Sequence, residues 1–280
     1  MRPSYSEIVA TAREYYNSSD ADTFYFHFWG GEDIHIGLYR SSDDSIFQAS
    51  RRTVQRMADK CSALTPHARV LDLGAGYGGA ARYLADRYGC HVTALNLSEV
   101  ENQRNRQMNQ SQRLEHLIDV IDGSFETLPF DDQYFDVIWS QDAILHSGNR
   151  QQVIAEAARV LKPQGELVFT DPMQNDACPA DVLQPIYDRL HLSSLGSPGA
   201  YQEMARDVGL TLIEFDELTE QLPAHYQRVL DAVGKSSQPK ELGISDSYIE
   251  NMKTGLRHWV DGGKKGYLVW GIFYFRKPSA

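Results

Sequence analysis

Arg69-Val70-Leu71-Asp72-Leu73, running into Gly74-Ala75-Gly76-Tyr77-Gly78-Gly79 and then Ala80-Ala81-Arg82-Tyr83-Leu84-Ala85, is the stretch on which the fold turns. A short β-branched and leucine run ends in clustered glycines, and helically spaced apolar residues follow, which reads as strand, tight turn, helix. Working outward, strands are expected over 91–95, 117–121, 135–139 and 165–170, with helices over 98–109, capped by Ser98, and over 150–161. Strands alternating with helices at this tempo are joined in parallel by helical crossovers, so the expected fold class is α/β, a doubly wound Rossmann-like sheet.

Two segments stand outside that rhythm. Residues 1–60 predict a helix over 6–16, an aromatic stretch Phe24-Tyr25-Phe26-His27-Phe28-Trp29, a Gly30-Gly31 break and a helix over 45–60. So dense an aromatic run exceeds what a core strand needs and reads as a lid over a hydrophobic site. Between Pro172 and Asp261 the pattern is helical, interrupted by a strand over 210–218, and Tyr267 to Phe275 reads as one buried closing strand.

The 280 residues carry 27 basic and 38 acidic side chains, a net charge of −11, which excludes nucleic acid and anionic membrane surfaces as partners. With 42% hydrophobic and 23% charged residues the chain is of ordinary globular composition and can bury a core. It contains no apolar run long enough to span a bilayer and no secretory leader at Met1 to Asp20, so a cytoplasmic protein is expected. Cys61, Cys90 and Cys178 lie far apart, without a CxxC pair or a histidine at ligand spacing. They read as reduced hydrophobes, and no metal site is expected.

A glycine turn after a first strand serves many ligands that approach the carboxyl ends of strands. A NAD site would add GxGxxG spacing and an acid about 20 residues on. Here the glycines fall at Gly74, Gly76 and Gly78, and Asn96 ends the second strand. The Val70 to Gly79 run VLDLGAGYGG instead resembles the first motif of class I S-adenosylmethionine-dependent methyltransferases. ALNLS at 94–98, GSFETLPFDDQYFDVIWSQDAILH at 123–146 and RVLKPQGELVFTDP at 159–172 resemble their later motifs in order, and GYLVWGIFYFRK at 266–277 their antiparallel seventh strand. The wider sequence, from REYYNSSDADTFYFHFWGGEDIHIGLY at 13–39 to NMKTGLRHWVDGGKKGYLVWGIFYFRK at 251–277, is similar to sarcosine/dimethylglycine N-methyltransferases; phosphoethanolamine methyltransferases are the nearest rivals.

That resemblance implies stepwise N-methylation of sarcosine and dimethylglycine to glycine betaine. S-adenosylmethionine would be the donor and S-adenosylhomocysteine the by-product. It also implies a small-molecule amine substrate, no metal, nucleic acid or membrane, and a monomer or homodimer. Three parts are expected: an N-terminal lid over 1–60, an S-adenosylmethionine-binding core over 61–172, and a substrate-binding helical insertion with closing strands of the same sheet over 173–280.

The expected cofactor residues are Asp72, Gly74, Ala75 and Gly76 at the turn, Asn96 and Leu97 at the ribose, and Ser124 and Phe125 at adenine. Gln141 joins them, with Tyr25, His35 and Ile36 along the cofactor's edge. Resemblance to phosphoethanolamine methyltransferases, in which the matching histidine pairs with an N-terminal tyrosine, implies His146 and Tyr16 as a catalytic latch, with Tyr15 as the register alternative to Tyr16. Arg189 is the expected carboxylate ligand, a guanidinium fork suiting two oxygens, with Arg228 or Arg257 as alternatives. Asp171 would face the ammonium, and Tyr25, Trp29, Tyr187, Tyr201, Tyr226 and Trp259 are candidates for the aromatic lining of the substrate site. Gln103 and Arg104 read as a solvated helix face.

Overall fold

The computed structural model describes residues 7–190, 192–236 and 238–279. Its main sheet has seven strands, and the five expected from the central rhythm lie side by side in parallel. These are β1 (Arg69–Leu73), β2 (His91–Asn96), β3 (Ile118–Asp122), β4 (Phe135–Gln141) and β5 (Leu161–Thr170). A two-residue strand β6 (Met173–Gln174), the edge strand β7 (Thr211–Glu217), a second short strand β8 (Leu268–Val269) and β9 (Gly271–Arg276) complete the set. The sheet order is β3-β2-β1-β4-β5-β9-β7, with β9 antiparallel to both neighbours.

Before the sheet come α1 (Glu7–Tyr16), α2 (Ser19–Phe24) and α3 (Ile46–Ala58). Between the strands run α4 (Gly79–Tyr88), α5 (Glu99–Ser111) and α6 (Arg150–Val160). The later segment adds α7 (Gln184–Leu190), α8 (Pro198–Asp207), α9 (Gln221–Lys235), α10 (Gln238–Glu241) and α11 (Asp246–Lys264). Ser6, expected to open the first helix, lies outside the described residues. Side-chain caps set several helix starts: Ser45 and Gln48 form a reciprocal capping box on α3, and Ser98, Asn149 and Ser245 cap α5, α6 and α11.

Two expectations are corrected. The closing run is not one strand: Leu268–Val269 pairs with Met173–Gln174 in a separate ribbon, and the main-sheet strand starts only at Gly271. Trp270 is the break, because its carbonyl accepts from Leu218 N–H at 2.9 Å and its indole N–H donates to Asp142 Oδ1 at 2.8 Å. The fifth strand begins at Leu161, not 165, since α6 passes directly into it and a register shift opposite Phe135 and Val137 absorbs the Lys162 to Gly165 bend.

The aromatic stretch folds as the end of α2 followed by one π-helical turn, Tyr25–Trp29. Phe24, Phe28 and Trp29 bury themselves in one cluster with Leu183, Ile186, Tyr226 and Trp259. Lid and helical insertion therefore share a hydrophobic core, separate from the clusters on either side of the sheet. Arg104, far from idle on a solvated face, pairs with Asp22 at 2.5 Å and covers the Phe26 ring at 4.4 Å, fastening the lid to α5. Gln103 is exposed. Cys61, Cys90 and Cys178 are free thiols.

Candidate active site

The site opens at the carboxyl ends of β1, β2 and β4, where the strand order reverses, the position at which doubly wound sheets bind ligands. β1 carries Asp72 to the edge and ends in the glycine turn. Gly74 adopts φ 76°, and a Cβ there would lie 2.4 Å from the Ala143 Cβ, so only glycine allows the turn and the β4 loop to meet.

A first cleft runs from this turn across Asn96, Leu97, Ser124 and Phe125 to Gln141 and His146, so most of the expected cofactor residues share one surface. It also holds Glu101, which sequence reasoning missed. Glu101 is buried, accepts from Asn96 Nδ2 at 2.8 Å, and burial raises its carboxyl to about 7. An acid from the first turn of α5 thus stands beside the neutral residue at the end of β2. The signal was available in sequence: Glu101 lies on the helix face that Ser98 starts, five positions after Asn96.

A second, inner chamber is lined by Asp33, His35, Asp72, Gly74, Ala75 and Gln141. Both Asp33 oxygens, Asp72 Oδ2, His35 Nε2 and Gln141 Nε2 are buried there without hydrogen-bond partners. Arg51 Nε lies 2.9 Å from Asp33 Oδ2 and compensates part of that charge. Burial pushes both carboxyls up to about 7, opposed at Asp33 by Arg51 and reinforced at Asp72 by Asp33. Burial holds His35 down at about 3, so its ring is neutral. Unpartnered buried polar groups are costly, and carboxylate acceptors at Asp33 and Asp72 with an amide donor at Gln141 around one small chamber fit a ligand bearing an ammonium group with a carboxylate beside it.

The third chamber is lined by Tyr25, Trp29, Ile36, Arg189, Tyr226 and Trp259, and shares His35 with the second chamber and Tyr16, Asp142 and His146 with the first cleft. Ile36, expected along the cofactor, and Tyr25, expected there or in the aromatic lining, belong to this chamber. Tyr226 stacks on Trp259 at 5.0 Å, and Trp29 meets Tyr226 edge-on at 5.5 Å. Arg189 Nη2 lies 3.0 Å from Met252 Sδ, and among the described residues no carboxylate pairs with it. A Cβ at Gly255 of α11 would lie 2.4 Å from Arg189 Nη1, so that glycine clears the guanidinium's path.

Tyr16 Oη stands 2.9 Å from His146 Nε2. Burial lowers His146 to about 4 and raises the Tyr16 phenol, so the pair is uncharged at neutral pH. Asp142, also missed by sequence reasoning, holds the centre. Its Oδ2 accepts from Ile36 N–H at 2.7 Å, its Oδ1 accepts from the Trp270 indole, and its φ of 51° is unusual for a non-glycine residue. It ties the lid, the β4 loop and the C-terminal segment to one carboxylate.

Three expected substrate residues are not brought to this chamber. Asp171 is fully buried, with Leu145 N–H donating to Oδ1 at 2.9 Å and Tyr201 O–H to Oδ2 at 2.6 Å, so both side chains are spent on fixing the turn before His146. Tyr187 donates to Gln174 Oε1 at 2.8 Å, away from the chamber. The alternative arginines also serve elsewhere: Arg228 binds the carbonyls of Ser41, Ser42 and Asp44, and Arg257 is exposed.

Residues 71–169 match the family model described as a methyltransferase domain. Over 97% of both chains the protein is 56% identical to the sarcosine/dimethylglycine N-methyltransferase of Halorhodospira halochloris. It is 58% identical to the glycine/sarcosine/dimethylglycine N-methyltransferase of Actinopolyspora halophila, over 97% of this chain and 48% of that one. A crystal structure of a sarcosine dimethylglycine methyltransferase, so assigned without proof, from Galdieria sulphuraria superposes with a TM-score of 0.89 at 42% identity, covering 95% of this chain and all of that one. On site geometry and kinship together, the chain belongs to the sarcosine/dimethylglycine N-methyltransferases.

Proposed function

We propose that the protein methylates the amine nitrogen of sarcosine and dimethylglycine to give glycine betaine, with S-adenosylmethionine as donor. The observation that carries the reading is Arg189, a cation without a carboxylate partner among the described residues, set in an aromatic chamber beside the cofactor-sized cleft. S-adenosylmethionine, when bound, supplies a methyl group on an electron-poor sulfonium. Glu101 and Asn96 would hold its ribose, Ser124 and Phe125 its adenine, and Asp72, Asp33 and Gln141 its amino-acid end.

The chain's own contribution is placement. Arg189 takes the substrate carboxylate as a fork, which leaves the amine among the chamber's Tyr25, Asp142 and His146 side chains. Fixing donor and acceptor in one geometry is worth up to about 7 to 11 kcal/mol in well-oriented reactions. Trp29, Tyr226 and Trp259 exclude water, and their ring faces attract a cationic nitrogen by about 0.5 to 2 kcal/mol each. The neutral Tyr16–His146 pair closes the wall between cleft and chamber without adding charge near the sulfonium.

A phosphoethanolamine substrate fits less well. Its phosphate wants several converging cations, and among the described lining residues Arg189 is the one arginine or lysine of this chamber. The test is a parallel assay of labelled S-adenosylmethionine with glycine, sarcosine, dimethylglycine and phosphoethanolamine. Label should appear in dimethylglycine and betaine from the middle two; faster transfer to phosphoethanolamine would overturn the reading.

A further inference from the structure

Outside the chamber lies a wider cavity, lined by Tyr15, Tyr16, Asp188, Arg189, Tyr248 and Met252. Tyr16, His146, Arg189 and Leu190 border both, and beside them a line of tyrosine hydroxyls from three elements crosses from one to the other. Tyr25, from the π-helical turn, faces the chamber, and its Oη is 3.3 Å from Tyr15 Oη on α1. Tyr15 Oη is in turn 3.0 Å from Tyr248 Oη on α11, which faces the outer cavity. In both contacts either oxygen can donate. The rings hold the line in place: Tyr15 stacks on Tyr248 at 6.4 Å, and Phe24 meets Tyr248 at 5.8 Å.

Resting on the amine-methylation reading, we propose that Tyr25, Tyr15 and Tyr248 form a hydroxyl relay carrying the proton that each methylation releases from the closed chamber to solvent. An ammonium substrate cannot attack until an N–H bond breaks. Its electron pair then forms the new N–C bond, the C–S pair stays on sulfur, and one proton must leave. The chamber's own groups are poor sinks. Both Asp142 oxygens already accept hydrogen bonds, His146 Nε2 faces Tyr16, and burial holds His35 and His146 down at about 3 and 4.

A hydroxyl can accept on one side while donating on the other. Tyr25 therefore takes the amine proton and gives its own to Tyr15, Tyr15 passes its own to Tyr248, and Tyr248 releases one to water. Burial raises the phenols of Tyr25 and Tyr248, so a standing tyrosinate is disfavoured and the hops must be concerted. The separations must close toward the usual 2.7–2.8 Å as the proton moves.

The test uses Tyr15→Phe, Tyr248→Phe and the double variant, each of which keeps the ring and removes one link. With sarcosine, kcat should fall about tenfold, less than the roughly 10²–10⁴-fold of direct general acid–base catalysis because water can stand in for one missing link. KM should hold, the solvent deuterium isotope effect should rise, and added imidazole should restore part of the rate. Links in series are non-additive, so the double variant should be no slower than the slower single one. Unchanged kcat and isotope effect would overturn the relay. So would a rise in KM alone, which would mark the cluster as a gate. Wild-type turnover separates the readings: a wild type that leaves sarcosine unmethylated refutes the reaction, whereas normal turnover in both variants refutes only the relay.

Discussion

Arg189 sits half-buried among tyrosines without a carboxylate partner, and the energetic asymmetry of such a cation makes it the most exposed point of the functional reading. Truncating one member of a buried charged pair costs about 2 to 5 kcal/mol. Arg189→Ala should therefore raise the KM for dimethylglycine by roughly 30-fold or more while leaving S-adenosylhomocysteine affinity unchanged by calorimetry. A KM within a few-fold of wild type would assign the carboxylate elsewhere. Asp33 and Asp72 make a second claim at this scale. Burial raises both to about 7, above the ordinary carboxylate value of 3.8, so between those pH values the free protein binds more protons than its unfolded chain. The stability these two groups confer is present below the unfolded pKa and is lost as pH rises toward 7. A bound ammonium favours the ionised carboxylates, so S-adenosylhomocysteine should bind about tenfold more tightly near pH 7 than near pH 5.5, with proton release. Asp33→Asn should flatten that dependence, and a pH-independent wild type would refute the linkage.

At the scale of elements, Gly255 gives a test in which two effects oppose each other. Replacing an interior helical glycine by alanine ordinarily favours the helix by about 1 kcal/mol. Here the methyl would overlap the Arg189 guanidinium, whose flexible end must swing away. Gly255→Ala should hold or raise the melting temperature yet raise the KM for dimethylglycine about tenfold. An unchanged KM would show that Arg189 can function from another rotamer. The π-helical turn belongs to the same scale. It brings Tyr25 to the chamber, sends Phe24 and Phe28 to the core and sets Trp29 at the boundary of both, a division that the sequence shows only as an undivided aromatic block.

For the molecule as a whole, a net charge of −11 favours self-repulsion, although many acidic side chains are engaged by arginine or lysine at the surface. Screening weakens both effects, and isolated surface pairs are worth little. The melting temperature should therefore rise between about 0.02 and about 0.5 M salt. A fall would mean that networks such as Arg56 and Lys60 around Asp216 outweigh the repulsion. Among the described residues no helix is long and apolar enough to cross a membrane.

The five parallel strands and the glycine turn with its ligand edge were legible in the sequence, because periodicity, turn chemistry and motif order are local properties of the chain; the Tyr16–His146 pairing was legible only through family resemblance. Placement was not. Asp171 and Tyr201 satisfy each other and do not line the chamber, while Glu101 lines the first cleft and Asp142 both, because orientation depends on partners brought from distant segments. The closing aromatic run was legible as buried but not as two strands, since Trp270 is pulled out of register by Leu218 and Asp142, neither of which is its sequence neighbour. The sequence by itself determined the α/β sheet and where along it a nucleotide-like ligand must approach. Only the tertiary structure decided which buried polar groups are left unsatisfied around the chambers, because that depends on hydrogen bonds and charges shared between the lid, the sheet and the helical insertion.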